Sequence, residues 1–165
     1  MITSRQNPRI QQVRALMGRP RERQQAGAFV IEGVRLAEEA AASGWKPQIV
    51  LYSEGASSRG MEAVRRLAAS GGDVEQVSTG VMESLTDTGT SQGVLAVFPL
   101  PHPDPPAQPD FLLLADEIRD PGNLGTLQRT AAAAGAQAVI VSPGTVDPFS
   151  PKVVRAAMGA HFRLP

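Results

Sequence analysis

The sequence predicts an α/β fold divided into two parts, and three observations carry that reading. Between residues 28 and 98, short apolar runs alternate with amphipathic helical patterns. Residues 99–109, PLPHPDPPAQP, hold six prolines and break the alternation. After them, residues 111–136 read FLLLADEIRDPGNLGTLQRTAAAAGA: an apolar run, an acidic turn punctuated by glycine and proline, then a helical pattern. A chain of 165 residues has room for one ordinary domain or two small ones.

The elements follow in order. Asn7-Pro8 reads as a helix start, with a capping side chain and proline at the first helical position. Ile10, Val13, Leu16 and Met17 recur at helical spacing, Gly18 and Pro20 end the run, and a second helical turn is expected around 21–25. Residues 1–25 thus form a basic helical segment, and 26–98 an α/β domain. In that domain Phe29-Val30-Ile31 is a strand, Gly33 a turn, and 34–43 a helix closed by Gly44. Strands at 48–52, 74–77 and 93–98 alternate with helices at 60–70 and 79–85, the last capped by Ser78 or Thr79, giving a mainly parallel or mixed sheet. The proline-rich stretch reads as a semi-rigid linker, because each proline fixes φ and removes a donor. From residue 110 the run at 111–115 reads as a strand buried on both faces. A helix follows, with Leu124, Leu127, Ala131 and Ala134 facing the sheet. A strand at 138–141 comes next, then a helix begun by Ser150-Pro151 and stopped by Gly159. Phe162-Arg163-Leu164 looks like the start of another strand.

Composition narrows the function. Hydrophobic residues make up 42% and charged residues 19%, which is globular and not disordered. No apolar run approaches the ~20 residues of a membrane span. The N-terminus lacks a signal-peptide core and there is no cysteine, so a cytoplasmic protein without a membrane partner is expected. Zero net charge argues against a protein that grips nucleic acid over its whole surface. Residues 1–24 nevertheless hold Arg5, Arg9, Arg14, Arg19, Arg21 and Arg23 against one acid, Glu22, a local net of +5. That segment suits phosphate contacts, and it equally suits a solvated basic helix.

Several motifs are absent. There is no G-x-G-x-x-G, no G-x-x-x-x-G-K-[ST] and no G-x-S-x-G. His102 and His161 make no metal constellation with nearby carboxylates. What remains is Asn123-x-Gly125-x-x-x-Arg129, a polar group at a helix entrance and a cation just over a turn inside, beside a strand's carboxyl end. Gly125 and Arg129 share a helix face, and the missing Cβ leaves space beside the guanidinium. On spacing alone, a simpler arrangement is favoured, in which Asn123 caps the helix and Arg129 pairs with Asp116, Glu117 or Asp120. Lys152 and Arg155, three apart near another helix N-terminus, read as a second phosphate contact or as a solvated basic face.

Asp116-x-x-Arg119-Asp120-Pro121-Gly122-Asn123-x-Gly125-x-x-x-Arg129-Thr130-Ala131, ending in Gly135-Ala136, resembles the first signature of SpoU-type (TrmH-like) RNA ribose 2′-O-methyltransferases. Residues 150–160, SPKVVRAAMGA, resemble the segment that follows it, with Ala157 where serine is common. Ser4-Arg5-Gln6-Asn7-Pro8, then Arg23 through 27–33 (GAFVIEG), and 91–97 (SQGVLAV), are similar to the family's substrate-binding domain. Nearly the whole chain is covered, in matching order.

The resemblance implies a substrate domain joined to the N-terminal half of a parallel-sheet SPOUT domain. It further implies S-adenosylmethionine held in a C-terminal trefoil knot, a homodimer, and rRNA or tRNA as partner. Asn123 and Arg129 take the catalytic positions. Arg5, Asn7, Arg9, Arg14, Arg23, Glu32, Arg119, Lys152 and Arg155 take RNA-binding ones. No metal is implied. Later family segments, Gly-x-Glu and Ser-Leu-Asn, do not occur before Pro165. No residue here is therefore assigned to the cofactor, and the expectation is a chain inactive alone, or a non-catalytic RNA-binding module.

Overall fold

The structure is a computed structural model that describes residues 1–86, 91–104 and 106–165. They form two compact units, Met1–Leu100 and Pro101–Pro165.

In the first unit α1 (Pro8–Gly18) and α2 (Pro20–Ala26) lead into β1 (Ala28–Glu32) and α3 (Val34–Ser43). Then come β2 (Ile49–Tyr52), α4 (Ser58–Ala69), β3 (Asp73–Gln76), α5 (Thr79–Glu83) and β4 (Val94–Pro99). The strand order is β1-β4-β2-β3. β4 runs antiparallel to both β1 and β2, and only β2 and β3 run parallel, so the sheet is mixed. Both faces are covered. Ile10, Val13 and Leu16 of α1 and Val81 and Met82 of α5 pack with Ala28, Val30, Leu51, Leu95 and Val97. Alternation turns Phe29, Ile31, Ala96 and Phe98 to the opposite face, where Phe29, Phe98 and Trp45 meet with ring centroids 6.1–6.4 Å apart. The segment 1–25 expected to stand apart is therefore part of this core: α1 closes one face of the sheet. Asn7 caps α1 by accepting from Arg9 N–H at 2.9 Å, with Pro8 at the first position.

The second unit contains β5 (Leu112–Ala115), α6 (Pro121–Ala134), β6 (Ala138–Val141), α7 (Pro151–Ala157) and a 3-10 turn at Ala160–Phe162. β5 and β6 pair in parallel, Leu112 with Ala138 through Ala115 with Val141. Several expectations about this unit need correcting. β5 is not buried on both faces: Ala115 is buried, while Leu114 is 66% exposed and Phe111 45%. With β6 as its sheet partner, pleating turns Leu112 and Leu114 to one side together with exposed Ile140. Within the proline-rich stretch, Pro103, Pro106 and Pro109 line a cavity together with Leu112 and residues 138–140 of β6.

The buried face of α6 is Leu124, Gly125, Gln128 and Ala131, while Leu127 is only half-buried and Ala134 is exposed. The partner that sets this face is α7. A Cβ at Gly125 would lie 2.4 Å from Ala156 Cβ, 2.7 Å from the Val153 carbonyl oxygen and 2.8 Å from Ala157 N. The glycine thus admits a neighbouring helix backbone, and makes no room for Arg129.

Helix α6 is capped by Asp120, whose Oδ1 accepts from Asn123 N–H at 2.7 Å. Asp120→Ala is expected to cost about 1 kcal/mol, seen as a lower urea midpoint for the second unit. An unchanged midpoint would mean that Pro121 alone fixes the helix start.

Residues 162–164 do not begin a strand. Gly159 takes φ +89°, and Phe162, Arg163 and Leu164 N–H groups donate back to Gly159 and Ala160 carbonyls, which winds the chain. The Pro165 carbonyl pairs with β6, accepting from Val139 N–H at 2.8 Å. His161 is buried here, and its Nε2 is 2.7 Å from the Pro148 carbonyl, to which it donates.

Burial pushes the His161 pKa below its ordinary value, against the opposing pull of the Pro148 carbonyl and Asp147. The unfolded chain takes up this proton near about pH 6.5, the folded chain only at lower pH. The stabilising contribution is therefore complete above about pH 6.5 and falls as pH drops through that value. The second unit should unfold more easily at about pH 5.5 than at about pH 7.5, and His161→Phe should flatten the difference. An unaltered pH profile in the variant would contradict this.

Candidate functional site

In the second unit the loop between β5 and α6 is tied down at several points. Glu117, at φ +48°, donates its N–H to Ser142 Oγ at 3.0 Å, and Val146 N–H donates to the Ile118 carbonyl at 2.8 Å. Thr145 Oγ1 donates to the Ala115 carbonyl at 3.2 Å. The acids around this loop are partly committed: Glu117 pairs with Arg119 at 3.0 Å, and Asp120 caps α6. Arg119 is thereby charge-compensated.

Arg129 and Asn123 are different. Both are exposed, and neither side chain has a hydrogen bond or ion pair among the described residues. Both simpler roles are thus contradicted: Asn123 is not the cap, and Arg129 pairs with none of Asp116, Glu117 and Asp120. The two are six residues apart on one helix, about 9 Å along the axis and about 120° around it. They flank a surface and do not touch. Lys152 is exposed at the start of α7, and Arg155 is half-buried in its last turn. Ser150 occupies the cap position of α7, but its buried hydroxyl makes no hydrogen bond.

In the first unit the expected RNA-facing residues separate by environment. Arg23 is 2% exposed and donates to the Leu16 carbonyl at 2.5 Å, holding α2 to α1. Arg9 lies between Asp73, at 2.5 Å, and Glu75, at 3.4 Å, and the Asp73 hydrogen bond raises its pKa further. Arg5 and Arg14 donate to neutral groups, the Gly80 carbonyl at 3.3 Å and Ser84 Oγ at 3.1 Å. Asn7 is occupied as a cap, and Glu32 accepts from Thr86 Oγ1. One residue escaped the sequence reading in its role. Gln92 Oε1 accepts from Val34 N–H at 2.8 Å, capping α3 because Gly33, at the cap position, has no side chain. The glycine at a helix start was the available signal.

A strand–helix–strand unit of this kind is the building block of open α/β sheets, in which ligands bind beside the strands' carboxyl ends. Comparison with known proteins narrows that class. The MRM3-like substrate binding domain matches residues 7–96, and the SpoU rRNA Methylase family matches residues 110–165. Human mitochondrial rRNA methyltransferase 3 is 35% identical over 154 residues, covering 87% of this chain and 35% of that protein. The Bacillus subtilis 23S rRNA (guanosine(2553)-2′-O)-methyltransferase RlmP is 35% identical over 165 residues, covering 99% and 63%.

Among solved structures, an rRNA methyltransferase from Sinorhizobium meliloti superposes with a TM-score of 0.84 at 35% identity, covering 99% of this chain and 62% of that one. The SpoU methyltransferase AviRb from Streptomyces viridochromogenes, solved with AdoMet, gives 0.81 at 32%, covering 96% and 60%. The chain belongs with the proteins that carry an MRM3-like substrate-binding domain, and its residues 110–165 form a SpoU methylase family domain. It spans about a third of the mitochondrial relative's length and about three fifths of the bacterial one's. No helix among the described residues is long and apolar enough to cross a membrane.

Proposed function

We propose that the chain serves the 2′-O-methylation of a ribose in ribosomal or transfer RNA, with S-adenosylmethionine as methyl donor. The observation that carries this reading is Arg129: a guanidinium without a carboxylate partner, on the helix after β5, in a chain of this family. As a ribose 2′-OH gives up its proton to water, negative charge builds on its oxygen. A positioned cation stabilises that charge most where it is greatest, in the transition state. Arginine stays protonated, so it acts here as an electrostatic stabiliser that also binds the neighbouring phosphate, and not as the base. Asn123 is too far round the helix to hold Arg129, and orients the ribose. Lys152 and Arg155 serve as further phosphate contacts.

S-adenosylmethionine supplies an electrophilic methyl group. Two cavities of the second unit, about 170 and 230 Å³, are smaller than the roughly 300–1,000 Å³ of pockets for ligands of that class, and are lined mainly by proline and aliphatic side chains. Neither of these two cavities fits the donor, and the ribose side of the reaction is what we assign to this chain. That misfit favours, as a second reading, a non-catalytic RNA-binding module. A homodimer through the second unit belongs to the first reading, which the exposed apolar Leu112, Leu114 and Ile140 support.

The test is a competition titration. A ribosomal RNA stem-loop should bind more tightly than a DNA duplex of equal length, because only RNA offers 2′-OH groups. Equal affinity would remove the ribose from recognition and end this reading.

A further inference from the structure

The six arginines of residues 1–24 are equivalent in sequence and not in structure, and the difference singles out a groove between α1 and α2. A groove of about 300 Å³ runs between α1 and α2, lined by Gln11, Arg14, Ala15, Gly18, Arg19 and Glu22. Gly18 and Ala15 leave its floor low; a Cβ on Gly18 would meet nothing within 4 Å. Arg14 donates to Ser84 Oγ, which in turn donates to the Val81 carbonyl at 2.7 Å, so the guanidinium is held by a neutral, fixed acceptor. Gln11 Nε2 donates to the Arg5 carbonyl at 2.9 Å, joining the groove to exposed Arg5, whose side chain rests on the Gly80 carbonyl. Arg19 is exposed. Among the described residues none of Arg5, Arg14 and Arg19 has a carboxylate within ion-pair distance, and Glu22 is the single acid in the lining.

Arg9 and Arg23 are the opposite case. Arg9 is neutralised by Asp73 and Glu75, and Arg23 is buried. A phosphate gains most from a cation whose charge is uncompensated and whose side chain is already placed, because little ordering entropy remains to be lost.

We propose that the α1–α2 groove binds the phosphodiester backbone of RNA through Arg14 and Arg19, with Arg5 at its margin, and that Arg9 and Arg23 make no phosphate contact. The inference rests on the RNA reading above and assigns the part of the surface that carries it. Ser84 is a positioning residue: it touches no RNA and orients Arg14.

The test uses the whole chain and a fluorescein-labelled ribosomal RNA stem-loop, titrated by anisotropy at several salt concentrations. Circular dichroism confirms that each variant is folded. Arg14→Gln and Arg19→Gln should each weaken binding roughly tenfold at low salt and reduce the slope of log K against log salt by about 1. Arg9→Gln should leave the slope unchanged. Ser84→Ala should weaken binding a few-fold with an unchanged slope, since the number of phosphate contacts stays the same. Wild-type slopes in both groove variants, with RNA still bound, would overturn the groove assignment alone. A slope reduced by Arg9→Gln as much as by Arg14→Gln would also overturn it. Failure of the unmodified chain to bind the stem-loop would overturn the RNA reading itself.

Discussion

In a preparation that transfers methyl groups, Arg129→Ala is expected to lower kcat about 10²–10³-fold, the cost of removing one preorganised donor to a developing oxyanion, about 2.7–4 kcal/mol. RNA affinity should fall only modestly, because one phosphate contact among several is lost. The split between kcat and binding is the diagnostic feature. A purely structural Arg129 would leave both intact, and a simple phosphate contact would weaken binding with kcat unchanged. Arg129→Lys should recover little, since a lysine offers a point charge where a guanidinium can face both a hydroxyl oxygen and a phosphate. The prediction depends on Arg129 being uncommitted in the folded chain, which is where the structure places it.

Gly125→Ala should have the largest effect on stability. The added methyl group would meet Val153 O and Ala157 N below 3.0 Å, and both are backbone atoms that cannot rotate away. Alanine's better helix propensity offers about 1 kcal/mol in return, against about 1–3 kcal/mol or more for forcing α6 and α7 apart. Overpacking wins. For a unit of this size each kcal/mol shifts the midpoint by about 4–8 °C, so a drop of several degrees is expected in thermal unfolding. Gly122→Ala is a milder comparison: its Cβ would lie 3.1 Å from Asp120 Oδ1, the α6 cap, so what it puts at risk is the roughly 1 kcal/mol of that cap and no backbone approach. Equal midpoints for Gly125→Ala and wild type would mean that the two helices do not approach as closely as described.

Local rules made most of the fold legible. Asn7-Pro8 and Ser78 mark helix starts that the structure reproduces, and the apolar runs of β1, β2 and β4 are strands. Asp120-Pro121 carries the same cap-then-proline pattern as Asn7-Pro8, so the cap of α6 is readable in the sequence at Asp120, three residues before Asn123. Other features depend on partners distant in sequence. The face that α6 buries is decided by α7, which is why Gly125 and Gln128 lie inside and Ala134 outside. The charge of residues 1–24 was visible as a sum. Its division was not, because the carboxylate that compensates Arg9 includes Glu75, 66 residues away, and Arg23 turns inward to the end of α1. Spacing placed Asn123 and Arg129 on one helix, but only the structure shows that neighbouring Glu117 and Asp120 are taken by other groups.

The most direct test of the central claim is a map of 2′-O-methylated nucleotides in the ribosomal and transfer RNA of cells whose chromosomal copy carries Arg129→Ala, compared with the parent strain. Loss of ribose methylation at a discrete site, with base methylation unchanged and the protein still present, is the predicted result. An identical methylation map in the two strains would contradict it.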